Sequence, residues 1–245
     1  MKHGSLFSGI GGFDLASEWM GWENVFQVEW DKYCQKVLEK NFPNVKRYED
    51  IKEFDGTKYR GLIDIISGGF PCQPFSSAGQ RKGKEDDRYL WPEMLRVIRE
   101  IKPSFIVGEN VAGLVSMDNG KTLDGILYDL ASEGYTTEQY IIPALAIAAN
   151  HRRDRLWIIG YIPNAIGNGW NRDREFKEII ETRGEAFSLS YSCIEAIQNK
   201  KVSQFNRKHN GLSTELDKDR IKGLGNAIVP QVVYQIFKAI ESIHE

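Results

Sequence analysis

From its start to about residue 162 the chain alternates short apolar or β-branched runs with longer stretches of helical spacing. Residues 4–8 are apolar enough for a strand, "SGIGG" is a turn, and "FDLASEWM" has helical spacing. "NVFQVEW" predicts a second strand and "KYCQKVLEKNF" a helix that ends near Pro43; "VKRYEDI" reads as a third strand. "LIDIISGGF" is the strongest buried-strand pattern, since β-branched residues cluster there without polar alternation. "WPEMLRVIREI" is amphipathic and stops before Pro103, "SFIVGENV" is strand-like, and "TLDGILYDLASEG" is a helix with glycine near its end. "RLWIIGYI" is one more strand. Strands alternating with helices of this length imply a mostly parallel sheet with helices on both faces.

After Pro163 the pattern is lost. Residues 163–222 are polar, rich in Asn and Gly, and show no strand alternation. They read as a small insertion between a domain at 1–162 and a C-terminal segment at 223–245, where "VPQVVYQIFKAIESI" is again an amphipathic helix opened by Pro230.

Composition narrows the class. With 245 residues, 41% hydrophobic and 27% charged, the chain suits one ordinary globular unit with an appendage. No apolar run approaches the ~20 residues of a membrane span, and the N-terminus lacks a basic-then-apolar leader. The expectation is a soluble cytoplasmic protein. Cys34, Cys72 and Cys193 are odd in number and form no CxxC pattern, so neither a disulfide framework nor a metal site is expected. A net charge of −2 carries no global signal for nucleic acid.

The candidate chemistry lies at strand ends. "LFSGIGGFDLA" places Gly9, Gly11 and Gly12 between a strand and a helix, where a doubly wound sheet binds ligands. Glu29 and Asp50 end the next two strands, positioned to hold ribose hydroxyls and an adenine amino group. The pattern is not the G-x-G-x-x-G of dinucleotide binders, so it suggests an adenosine-type cofactor without demanding NAD. A tight turn with surface carboxylates is the plain alternative. Three further clusters are Pro71-Cys72-Gln73-Pro74, Gly108-Glu109-Asn110-Val111 and Arg152-Arg153-Asp154-Arg155. Each by itself has a bland reading: a buried thiol, a solvated carboxylate, a charged surface. Their common placement argues otherwise, because successive ends of parallel strands converge on one edge.

Five stretches, "FSGIGGFDLA", "DIISGGFPCQPFSSAG", "ENVAGL", "HRRDR" and "GLGNAIVPQ", occur in the order of the motifs of DNA (cytosine-5) methyltransferases, and over residues 4–160 and 223–240 the chain resembles that family. The resemblance implies a Rossmann-like fold, S-adenosylmethionine as cofactor, and a flipped cytosine in double-stranded DNA as substrate. Cytosine C5 is too weak a nucleophile to attack a methyl sulfonium. A thiolate adding at C6 makes C5 enamine-like, so Cys72 is expected to be exposed and ionisable. The resemblance assigns Glu109 to cytosine N3 and its 4-amino group, where a raised pKa is useful, and Arg153 and Arg155 to the base oxygen and the charge network. It also assigns Phe7, Ser8, Gly9, Ile10, Gly11 and Gly12 to the methionine end of the cofactor. Glu29 and Trp30 take the ribose, Asp50 and Ile51 the adenine, and Pro71, Leu90, Asn226 and Ala227 line and close the pocket.

The polar, basic stretch 76–88 looks like the family's loop that closes over DNA, through Ser76, Ser77, Gln80, Arg81 and Arg88. In 163–222, the region that selects the target, Arg172, Arg174, Arg207 and Lys208 are the expected DNA contacts. Two departures stand out. His151 replaces the Gln that opens the family's arginine motif, and the recognition stretch is short, without the motif that normally precedes the last one. A reduced region implies a short target site, weak specificity, a partner that supplies contacts, or lost activity. The main expectation is a modification enzyme, alone or beside a restriction enzyme. The alternatives are an RNA (tRNA) cytosine methyltransferase, whose Cys-Phe-Thr motif is missing here, a non-catalytic DNA-binding relative, and a nicotinamide-dependent dehydrogenase.

Overall fold

The structure, a computed structural model, describes residues 1–72, 89–144, 153–163 and 222–244. The described strands form a seven-stranded sheet of order β3-β2-β1-β4-β5-β7-β6. They are β1 (Lys2–Leu6), β2 (Glu23–Val28), β3 (Lys46–Tyr48), β4 (Ile65–Gly68), β5 (Phe105–Val111), β6 (Thr136–Pro143) and β7 (Asp154–Tyr161). The first five are mutually parallel, β7 runs antiparallel to β5, and β6 antiparallel to β7. The mostly parallel α/β sheet expected from the pattern is therefore present. Each predicted helix also forms: α1 (Gly12–Trp19), α2 (Lys32–Asn41), α3 (Trp91–Ile101), α4 (Lys121–Ser132) and α5 (Pro230–His244). Strand β6 carries no alternation strong enough to predict it. It is an edge strand whose burial pattern is mostly intermediate, so neither face demanded apolar residues.

Period-two alternation sorts the strands onto two cores. Ile66, Ile106, Leu156 and Ile158 face a cluster with Met94, Val97, Ile98 and Ile101 of α3 and with Ile126 and Leu130 of α4. Ile65, Phe105, Val107, Trp157 and Ile159 face the other side, against Phe13 and Ala16 of α1 and Val233, Ile236 and Phe237 of α5. Each such fully buried side chain contributes about 1.5–3 kcal/mol relative to exposure.

The α1 side also holds a buried polar layer. His3 and Ser5 point to one face of β1, and β2 and β4 place Asn24, Gln27 and Ser67 beside them. His3 Nδ1 lies 2.8 Å from Asn24 Oδ1, and Nε2 lies 2.7 Å from Ser67 Oγ. The amide oxygen can only accept, so Nδ1 carries the proton and Nε2 accepts from the hydroxyl. Asn24 Nδ2 donates to the Asp14 carbonyl (3.0 Å) and Gln27 Nε2 to Asp14 Oδ1 (2.9 Å), joining β2 to the first turns of α1. Burial lowers His3 to a pKa of about 4 and raises Asp14 to about 6, against the hydrogen bond from Gln27.

The signs of these two shifts oppose each other. As pH falls from 6.5 to 4 the unfolded chain protonates its histidine and the folded one does not, so His3 lowers stability. Over pH 6 to 3.8 the folded chain holds the Asp14 proton that the unfolded chain lacks, so Asp14 raises it. Each effect is on the order of 3 kcal/mol. Asp14→Asn removes only the second. Denaturant titrations from pH 7 to pH 4 will show the variant losing roughly 3 kcal/mol relative to wild type, and parallel curves would show that Asp14 does not titrate in this range.

Candidate active site

The turn after β1 is shaped by left-handed residues. Phe7, Gly9 and Gly11 have φ of 51°, 56° and 89°. At Gly11 a Cβ would also lie 2.4 Å from the Phe42 ring, so α2 packs directly on the turn. Glu29, one residue beyond β2, braces the turn from the side. Its Oε2 accepts from Gly9 N (2.7 Å) and its Oε1 from Asp31 N (2.7 Å). Burial nevertheless raises its carboxyl above the ordinary range. Trp30 beside it is 71% exposed, an open apolar face at the mouth of the turn.

Asp50 is half-buried and accepts from Lys52 N (2.9 Å), while Ile51 is buried in the core. The bend carrying them is tied to α3 by Arg96, which donates to the carbonyls of Ile51 and Phe54 while paired with Glu93 and Glu100. Arg96 escaped the sequence reading because it looked like the polar face of an amphipathic helix.

The thiol departs from expectation. Cys72 was expected to be exposed and ionisable; it is 6% exposed, in the core cluster with Phe70, Trp91 and Leu114. Its Sγ lies 4.0 Å from Met117 Sδ, and its backbone bridges to Tyr89. Burial alone pushes the thiol up to about 11. The physical reason is the anchoring of the bend. Leu90 N donates to the Pro71 carbonyl (3.2 Å) and Asn110 Nδ2 to the Phe70 carbonyl (2.9 Å), which turns Cys72 inward. Asn110 was visible in the Glu-Asn-Val motif, but a role for it was not. Adjacent strand residues face opposite sides, so Asn110 grips the thiol bend while Glu109 faces the other core.

Glu109 pairs with Arg155, Oε1 to Nε at 2.8 Å. Burial raises its carboxyl, and Arg155 and Arg153 hold it back. The arginines reach this carboxylate for a reason other than the one expected. In an all-parallel sheet the start of β7 would lie at the far edge. Because β7 is antiparallel, Arg155 falls opposite Val111, at the carboxyl end of β5. Glu109, Arg153, Arg155, Trp157, Ala227 and Val229 line a narrow cleft of about 10 Å³, room for about one water. Trp157 Nε1 is buried without a hydrogen-bond partner among the described residues. Asn226 is exposed and Ala227 half-buried, so the C-terminal segment borders this cleft as well as the glycine turn. Ser76, Ser77, Gln80, Arg81, Arg88, His151, Arg152, Arg172, Arg174, Arg207 and Lys208 lie outside the described residues, as does nearly all of 163–222.

The family model for C-5 cytosine-specific DNA methylases matches residues 1–222. The chain belongs to that family. It is 44% identical over 158 residues to the type II methyltransferase M.PspPI of Psychrobacter sp., covering 63% of this chain and 38% of that protein. It is 34% identical over 239 residues to M.HpaII of Haemophilus parainfluenzae, covering 91% and 65%. To M.HhaI of Haemophilus parahaemolyticus it is 40% identical over 155 residues, covering 63% and 47%. The chain thus spans between 38% and 65% of the length of these relatives. The structure of the Entamoeba histolytica methyltransferase EhMeth shares the fold, with a TM-score of 0.66 at 17% identity over 99% of this chain and 98% of that one. The methylase resemblance in the five motifs therefore stands as membership. Among the described residues, no helix is long and apolar enough to cross a membrane.

Proposed function

We propose that this methylase transfers a methyl group from S-adenosylmethionine to C5 of cytosine in double-stranded DNA. The observation that carries the reading is the thiol bend of Cys72, held by Asn110 on the same sheet edge as the Glu109–Arg155 pair and the glycine turn. The turn fits the cofactor. Left-handed backbone lets a ligand approach closely, Glu29 keeps lone pairs for ribose hydroxyls, and Trp30 offers a flat face. When bound there, S-adenosylmethionine supplies an electrophilic methyl group.

The chain's own residues supply the rest. Cys72, its proton passed to the Glu109 carboxylate, adds as thiolate through Sγ to C6 of a cytosine turned out of the duplex. The displaced electron pair passes toward N3, where protonated Glu109 gives up its proton, and C5 becomes nucleophilic. Arg155 and Arg153 offer planar donors to the base oxygen and to the carboxylate left behind. After transfer a base takes the C5 proton, the C6–S bond breaks to free the thiolate, and N3 returns its proton to Glu109. The buried state of Cys72 means that its Met117 contact must open before the sulfur can attack. Residues 163–222 select the target, with the 76–88 loop closing from the other side.

The test is incubation with labelled S-adenosylmethionine and duplex DNA, tRNA or no nucleic acid, followed by digestion to nucleosides. Label in 5-methylcytidine from tRNA would replace the proposed substrate. No label in any arm, with cofactor bound, would leave a non-catalytic relative.

A further inference from the structure

The C-terminal segment 222–228 crosses the glycine turn. A Cβ on Gly12 would lie 2.7 Å from the Ile228 carbonyl oxygen, and one on Gly69 would lie 3.4 Å from Ile228 Cδ1. One on Gly223 would lie 3.2 Å from Tyr33 Cε1 and 3.5 Å from Ile10 Cγ2. One end of the segment is fixed by α5, whose Val232, Val233, Ile236 and Phe237 are buried. Toward the other end Gly223 is buried, while Leu224, Gly225 and Asn226 are exposed. There Lys222 Nζ lies 2.7 Å from Asp31 Oδ2, across 191 residues of sequence.

Asp31 is engaged on every side. Its Oδ1 accepts from Tyr33 N (2.9 Å) and Cys34 N (3.2 Å), capping α2. Its own N–H donates to Glu29 Oε1, and Glu29 Oε2 accepts from Gly9 N. One line of bonds therefore runs from the glycine turn through Glu29 and Asp31 to Lys222. We infer that Asp31 and Lys222 form a clasp that holds the C-terminal segment across the glycine turn of the cofactor site and sets how long the cofactor stays bound. This positioning role rests on the S-adenosylmethionine reading above. The Lys222 side chain is 65% exposed and that of Asp31 29%, so the pair is weak and screened by salt, as a contact that must open and close requires.

The experiment is a chase. The full chain is loaded with labelled S-adenosylmethionine, excess unlabelled cofactor is added, and retained label is followed with time. Lys222→Met will release cofactor about two- to five-fold faster at an unchanged melting temperature. Release from wild type will quicken as salt rises, and release from the variant will not. Lys222→Arg will restore the slow rate, and Lys222→Met will add nothing in an Asp31→Asn background. Wild-type release with a wild-type salt response in Lys222→Met overturns the clasp. Wild type that retains no label at all instead removes the cofactor reading on which the clasp rests.

Discussion

Cys72→Ser will bring methyl transfer below detection, a loss of roughly 10³-fold or more, while cofactor affinity stays within two-fold of wild type. The thiol touches Met117 and sits in the core cluster with Phe70, and among the described residues no hydrogen bond joins it to the glycine turn. A serine hydroxyl ionises far less readily than even a buried thiol, and no base among the described residues is bonded to Sγ. The burial of Cys72 adds a second readout. With a pKa of about 11, only about one thiol in ten thousand is ionised at pH 7. In the protein without DNA, Cys72 should therefore resist alkylation by iodoacetamide near neutrality. A duplex carrying 5-fluorocytosine should nonetheless trap it, because fluorine cannot leave as the C5 proton does. Peptide mapping reads both results. Rapid alkylation would mean that the thiol is open at rest, and undiminished turnover by Cys72→Ser would remove it from the chemistry. Cys34 is the internal control, since burial together with Glu29 and Asp31 pushes it up to about 12.

The two cases show what the sequence does and does not carry. The alternation of apolar runs was enough for every parallel strand and for helices α1 to α5, because each buries a face and burial constrains residue type. The glycine turn was legible because its backbone needs left-handed residues that few side chains tolerate. Strand β6 was not legible, since an edge strand lies half in solvent and accepts almost anything. The direction of β7 was missed because apolar patterning has no sign; only pairing tells parallel from antiparallel, and on that direction depends which edge receives Arg155. Motif order identified Cys72, yet its burial follows from hydrogen bonds to Phe70 and Pro71 carbonyls that no local pattern encodes. Arg96 and the Lys222–Asp31 pair were hidden for the same reason: they join residues far apart in sequence.

Glu109→Gln will lower turnover by about 10²–10⁴-fold while leaving affinity for a target duplex close to wild type. The amide can still donate to cytosine N3 and accept from the 4-amino group, but it has no proton to transfer. The pH profile separates this from a purely structural loss. The proposed reaction needs Cys72 as thiolate and Glu109 as acid; burial holds Cys72 at about 11 and raises the carboxyl, while Arg155 and Arg153 oppose that rise. Between the two values the productive form differs from the dominant one only by a proton moved from sulfur to carboxylate, so its population does not change with pH. The wild-type rate should therefore be flat between the two titrations. It should fall tenfold per unit on the acid side, as Glu109 and Cys72 are both protonated, and again on the far alkaline side. In Glu109→Gln only the thiolate matters, so the plateau should vanish and the rate should climb about tenfold per pH unit through neutrality. Single-turnover rates from pH 6 to 9 decide the matter. A variant that kept the wild-type plateau would show that Glu109 holds the base without serving as its acid.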